Sequence, residues 1–324
     1  MSILDAPARA RKKILAITLN PAIDKVYAID DFEIGGVFRP RDMTATAGGK
    51  GLNVARVTHL LEEPVVATGF IGGGNGQFIQ NKVRESKIAA EFVPIEGESR
   101  ICINVTDTQK SLCTEILEPG PAVSFEESQQ FLEHYRRLLQ DSSLVTASGS
   151  LPLGISVDFY RQLIEIAAQY NIRFILDTSG SPLEQGIQSE PFMIKPNLEE
   201  ARKLLRLDLA TLKEQAEAVL KLKQRGIPIP CITLGKDGCL AGLDDGVYHF
   251  YGKPVEVVNS VGSGDSFVAG CAVGLVRNFK PVDVIKLGMA AGMANTQFFQ
   301  TGMISLELVN RFYEQIQFEI IIGV

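Results

Sequence analysis

The feature that most constrains this chain is an alternation of two patterns. Short apolar runs trade places with longer segments whose apolar residues recur at helical spacing. The apolar runs are 13–19, 65–70, 144–148, 172–177 and 229–234. Between them, 157–170 carries Tyr160, Leu163, Ile164, Ala167 and Ala168 at i, i+3, i+4, i+7 and i+8, and Leu212, Ala216, Val219 and Leu220 repeat the pattern. Strands separated by helices of this length predict βαβ units and an α/β fold: a doubly wound, mainly parallel sheet with helices on both faces. With 324 residues the chain can be one large domain. Residues 1–12 read as a flexible leader and 13–320 as the α/β domain.

Two stretches break the alternation. Residues 26–46 hold Gly35, Gly36 and Pro40 and lack any helical period, and residues 100–118 read as strands 101–107 and 112–118 around a polar turn, 108–110. Inserted into an α/β chain, they predict a small β lid over a site and a contact for a homodimer. The alternative is that they are antiparallel edge strands of the main sheet. The tail 318–324 is apolar enough for a last edge strand.

Composition narrows the function. Lys and Arg number 32 against 38 Asp and Glu, a net charge of −6, which argues against nucleic acid as a partner. No apolar run of 18 residues is present, so no membrane partner is expected. Five scattered cysteines without a CxxC pair, and only three histidines, point to a reducing cytoplasm and away from a disulfide framework or a zinc centre.

Five motifs can carry chemistry. The stretch 259–270 runs through Gly262, Ser263, Gly264 and Asp265 into a helix of small residues. Free N–H groups at a helix start form an anion hole, and the helix dipole favours an ionised Asp265, which suits it to take a hydroxyl proton beside a developing phosphate charge. A helix-start carboxylate with glycines kept for tight packing is the other explanation. A dinucleotide fingerprint fits less well, because Phe267 stands where its last glycine belongs. Second, 46–55 contains Gly48, Gly49, Lys50, Gly51 and Asn53, a glycine-rich helix entry suited to sugar hydroxyls or a sugar phosphate, or a packing turn. Its spacing is not that of a P-loop. Third, Asp24 follows the first strand, where ligands of open α/β sheets bind; it can accept two sugar hydroxyls or cap an Asx turn. Fourth, Asn197 and Glu200 are three apart and can share a water shell around Mg²⁺, or form an ordinary capping box. Fifth, 233–238 closes a strand with a turn that can line a nucleotide.

Together, in this order and spread over about 13–315, these motifs resemble the PfkB (ribokinase-like) carbohydrate kinase family. Gly48-Gly49-Lys50-Gly51-x-Asn53 is similar to its first signature and 261–266 to its second. The segments 18–21, 97–100, 114–121 and 148–152 resemble the hexose-phosphate branch, and 69–73, Cys102-Ile103 and 300–302 place the chain nearer its tagatose-6-phosphate kinases than its 1-phosphofructokinases.

The resemblance implies transfer of the ATP γ-phosphoryl group to a ketohexose phosphate with Mg²⁺. Tagatose 6-phosphate would give tagatose 1,6-bisphosphate; fructose 1-phosphate, or an unphosphorylated sugar, is the alternative acceptor. It implies Asp265 as catalytic base and Gly262, Ser263 and Gly264 as the anion hole. Asn197 and Glu200 would organise Mg²⁺. Lys195 with Thr233, Gly235, Lys236 and Gly238 would contact ATP. Asp24, Gly48, Gly49 and Asn53 would hold the sugar, and Lys50, Arg100 and Ser150 or Arg39 its phosphate. Ser263 replaces the family's usual alanine, Asn259-Ser260 its Asp-Thr, and Val37 a lid lysine of some relatives. An NAD-dependent oxidoreductase and a non-catalytic sugar-phosphate sensor are the competing classes; the broken fingerprint speaks against the first and Asp265 against the second.

Overall fold

The computed structural model describes residues 12–107, 109–110 and 112–323. The expected leader falls almost wholly on 1–11, outside the described residues, as do Thr108 of the lid turn and Val324 of the tail.

The main sheet runs, in spatial order, Gln317–Gly323, Gly246–Tyr251, Cys239–Leu243, Ile229–Thr233, Met193–Ile194, Arg173–Asp177, Ser142–Ser148, Lys13–Thr18, Val65–Ile71 and Ala89–Ala90, with Val93–Pro94 also paired to Val65–Ile71. Every pairing from Ile229–Thr233 to Ala89–Ala90 is parallel, and the last three strands are antiparallel. The strand alternation dictates two cores. Ile14 and Ala16 point into one and Leu15 and Ile17 into the other, all four fully buried. Burying one such Ile or Leu contributes about 1.5–3 kcal/mol, so the apolar runs fix both faces at once.

Among the described residues ten α-helices cover these faces. One core packs Lys50–Leu60, Ser263–Val276, Pro281–Asn295 and Leu306–Gln315; the other packs Phe125–Leu139, Phe159–Gln169 and Leu212–Gln224. The periodic segment 157–170 is the Phe159–Gln169 helix, two residues shorter at its start and one at its end. The apolar tail is an edge strand on Gly246–Tyr251, with Phe318 tilted against Phe250 at 5.6 Å.

The two segments that broke the alternation form their own four-stranded sheet: Asp42–Gly48, Ala22–Ile29, Arg100–Asp107 and Leu112–Leu117. Among the described residues they pair with one another and with no strand of the main sheet. The first of these strands starts at Ala22, so Asp24 lies in a strand, opposite Thr46 and Cys102, and caps no turn.

Candidate active site

Lys13–Thr18 has Val65–Ile71 on one side and Ser142–Ser148 on the other. Successive crossovers leave in opposite directions there, and ligands of open α/β sheets bind beyond the strand ends at such a point. A cleft of about 610 Å³ lies there. Its floor is made by Thr18, Ser148, Asp177, Lys195 and Thr233 at successive strand ends, and its roof by Asp24, Cys102 and Glu115 of the small sheet.

Two of the helices that meet this cleft by their N-termini carry its central side chains. Ser263–Val276 starts at Gly262, whose φ of +81° is left-handed; a Cβ there would also meet Thr301 Cγ2 at 2.4 Å. Only glycine makes this turn without strain, and Gly262, Ser263 and Gly264 line the cleft, with Ser263 N turned back to Ser260 O at 3.3 Å. Asp265, in the first helical turn, is 5% exposed. Burial and the charge of Asp177 push its carboxyl up to about 6, against Lys50, a hydrogen bond from Asn53 and Lys195. Asn53 Nδ2 donates to Asp265 Oδ2 at 2.8 Å.

Asn53 stands on the second helix, Lys50–Leu60, entered through Gly48 and Gly49. Gly48 is required by contact: a Cβ there would fall 2.0 Å from the Asp24 carboxylate. Burial pushes Asp24 up to about 6, opposed by the guanidinium groups of Arg100 and Arg56. The glycines therefore let one carboxylate settle against backbone while the helix brings an amide to another.

Asp177 completes the floor. It is 1% exposed, and Lys195 Nζ approaches one of its oxygens to 3.2 Å and Lys50 Nζ the other to 3.9 Å. Neither oxygen accepts a hydrogen bond of good geometry, and Thr18 Oγ1 and Ser148 Oγ beside it are likewise unpartnered. An ideal Cβ on Gly264 would lie 3.2 Å from Lys195 Nζ, so that ammonium sits against the turn of the Ser263–Val276 helix. The arrangement is two buried acids, Asp265 and Asp177, and two lysines, Lys50 and Lys195, beside a glycine-rich helix start.

The sequence-predicted residues divide into groups. Asp24, Gly49, Lys50, Asn53, Arg100, Ser150, Lys195, Asn197, Glu200, Thr233, Gly262, Ser263, Gly264 and Asp265 all line the cleft. Gly48 lies behind Asp24. Gly235, Lys236 and Gly238 do not line it: they lie in a 3₁₀ turn past Thr233, and Gly235 and Gly238 close that turn by a backbone bond to each other. Arg39 is exposed in the segment between the first two strands of the small sheet and does not line it either. Asn197 and Glu200 form a reciprocal capping box, each side chain on the other's backbone N–H at 2.8 Å. Arg100 lines the cleft with its fork already braced: Nε and Nη2 donate to Asn20 O at 3.1 and 2.9 Å, and Nη1 to Glu118 O at 2.9 Å. Asp177, Thr18 and Arg56 were not singled out in the sequence. For Asp177 a signal existed, an acid closing an apolar strand.

Residues 14–307 match the model of the pfkB family carbohydrate kinases. Over 307 residues, 94% of this chain and 98% of the relative, the sequence is 38% identical to a tagatose-6-phosphate kinase of Staphylococcus epidermidis. Among solved structures, phosphofructokinase-2 from Escherichia coli in complex with potassium superposes with a TM-score of 0.88 at 25% identity, covering 93% of this chain and 98% of that one. A Thermotoga maritima protein described as "Possible 1-phosphofructokinase" gives 0.88 at 28% identity over 95% and 99%.

Proposed function

The chain belongs to the pfkB family of carbohydrate kinases, and from that premise we propose that it phosphorylates tagatose 6-phosphate at a primary hydroxyl with ATP, giving the 1,6-bisphosphate. The observation that carries the proposal is Asp265: a buried acid at a helix N-terminus, in a cleft, hydrogen-bonded to an amide 212 positions away.

The chain's own groups account for each part of the reaction. Asp265 accepts the hydroxyl proton as the oxygen attacks the γ-phosphorus, whose bond to the β–γ bridging oxygen breaks so that ADP leaves. The amides of Gly262 and Gly264 meet the charge that spreads over the equatorial oxygens, which a loose phosphoryl-transfer transition state requires, while Ser263, its own amide held by Ser260 O, shapes the turn between them. Lys195, fixed by Asp177, adds a positive charge at that point. Asp24 and Asn53 orient the sugar, and Lys50, Arg100 and Ser150 bind its phosphate at the rim. The small sheet closes over the sugar and excludes water.

The donors present fit Mg²⁺. Asp177, Asn197 and Glu200 line the cleft and offer oxygen donors, which are what this ion takes, partly through water; Lys195 flanks the Asp177 carboxylate, and the Asn197–Glu200 box engages one oxygen of each. Among the described residues no three His, Cys, Asp or Glu gather as a metal centre, so these residues would hold an ion that arrives on the nucleotide. When bound, the ion supplies neutralisation of phosphate charge.

The resemblance to a structure described as a 1-phosphofructokinase supports fructose 1-phosphate as the second reading. ADP formation with tagatose 6-phosphate, fructose 6-phosphate, fructose 1-phosphate and the free ketoses decides between them. Tagatose 6-phosphate is expected to have the highest kcat/KM, and an equal value for free tagatose would remove the phosphate anchor.

We also propose a cytoplasmic homodimer joined through the small sheet. All five cysteines are unpaired, and no helix among the described residues is long and apolar enough to cross a membrane. Met43, Leu112, Ile116 and Leu117 are 57–62% exposed on the two outer strands of the small sheet, an apolar surface that edge-strand physics disfavours in a monomer. A monomer mass in sedimentation would overturn the dimer.

A further inference from the structure

Arg56 is a charged group behind this site to which the proposed chemistry gives no part. It sits one helical turn beyond Asn53 on Lys50–Leu60, partly buried, and its guanidinium spans three segments. Nη1 donates to Asn53 Oδ1 at 3.0 Å and to Thr301 O at 3.1 Å, and Nη2 donates to Ala47 O at 2.7 Å. Ala47 is the last residue but one of the Asp42–Gly48 strand of the small sheet. Thr301 belongs to the loop pressed against the Gly262 turn.

Each contact has a consequence for Asp265. An amide offers one acceptor oxygen and one donor NH₂ group: an ionised carboxylate pairs only with the NH₂, a protonated one with either. With Oδ1 taken by Arg56, the Asn53 amide must turn Nδ2 to Asp265 Oδ2, where it donates at 2.8 Å. The Thr301 loop is gripped from its other side by the fully buried Asn295, whose Oδ1 accepts from Gly302 N and whose Nδ2 donates to Val261 O, at 2.8 and 2.9 Å. Arg56, the loop, Asn295 and Val261 thus form one chain of contacts ending at Gly262. Burying a guanidinium is costly unless its donors are placed, and here Asp24 and Asp265 both favour its charge against that burial.

We infer that Arg56 is the positioning residue of this active site, fixing the Asn53 amide toward Asp265 and tying the small sheet to the loop behind the anion hole. The inference rests on the kinase reading, and its test is built so that the two fail separately.

Arg56→Lys keeps the charge and loses the fork. A displacement of catalytic groups of about 1 Å costs on the order of 10²-fold, so kcat should fall about 10- to 100-fold. KM for ATP should stay within about threefold, and the unfolding transition should stay cooperative. Arg56→Gln removes the charge, and the acid limb of kcat should move to higher pH, because Lys50, Lys195 and the Asn53 amide are then left to oppose burial and Asp177 at Asp265. A wild-type kcat per folded molecule in Arg56→Lys, or an unmoved acid limb in Arg56→Gln, overturns the inference.

Should the wild type turn over no sugar phosphate, the kinase reading fails instead. Arg56 is then judged by unfolding in an Asp24→Asn background. There Arg56→Gln should lose more stability between about pH 4 and 7 than its parent does, and equal slopes overturn the inference.

Discussion

The cleft has two acids with the same titration and different housing. Asp265, on the floor, is enclosed by a helix start and by strand ends buried on both faces. Asp24, in the roof, belongs to a sheet whose last strand, Leu112–Leu117, is exposed along its whole length. Burial pushes both carboxyls up to about 6, yet their relief differs in kind. Asp265 is answered by two lysines, which converge with it and the glycine-turn amides on one reaction point. Asp24 is answered by two arginines whose forks brace backbone carbonyls, Arg100 on Asn20 and Glu118 and Arg56 on Ala47 and Thr301. Point charges stand where charge must be met during reaction, and planar forks where segments must be held. The difference teaches that floor and roof have separate tasks, chemistry below and substrate fit above.

The sharpest test is to remove the floor's base. Asp265→Asn keeps the shape and an acceptor for Asn53, so ATP binding measured by calorimetry should survive. The kcat should fall about 10²–10⁴-fold, the range of a general base. A variant with wild-type kcat would place the proton elsewhere and dissolve the division of labour.

The roof should respond in a different parameter. Arg100→Ala frees Asn20 O and Glu118 O and removes a cation from the rim. Losing a charged hydrogen bond costs about 1.5–3 kcal/mol, so KM for the sugar phosphate should rise about 10- to 100-fold with kcat changing by severalfold at most. If kcat fell as far as in Asp265→Asn, with KM unmoved, Arg100 would belong with the chemistry.

How far each region could be read from sequence follows from the range of its contacts. Asp265, Gly262 and Gly264 are legible because a helix start, its dipole and its glycines are neighbours in the chain. The small sheet was visible as missing helical period, although its first strand begins at Ala22, before the segment that looks irregular. The capping box of Asn197 and Glu200 is local and equally legible. Arg56 is not, because on a helix it reads as an ordinary polar residue, and its partner Thr301 lies 245 positions away. Asn295 is hidden in the same way. The turn at Gly235 and Gly238 is an equally local signal, and it follows directly on Thr233, which lines the cleft. Short-range chemistry announces itself, and long-range bracing does not.

The smallest expected effect separates the two housings directly. A carboxyl whose folded value is about 6, against about 4 when unfolded, binds its proton more tightly in the folded state. Between those values the folded protein carries more protons than the unfolded one, so stability falls as pH rises from about 4 to 6 and stays reduced above that. Each acid therefore destabilises the fold at the pH where Asp265 must be ionised to act. Replacing Asp265 by Asn should raise the unfolding free energy at pH 8 by on the order of 1–3 kcal/mol and leave it nearly unchanged at pH 4. Asp24→Asn should do the same with a smaller gain, about 1 kcal/mol, because water reaches the roof more readily than the floor. Chemical denaturation of both variants at the two pH values reads the ordering. Equal gains would mean that the small sheet encloses its acid as tightly as the helix start does, and the roof would then count as part of the rigid core.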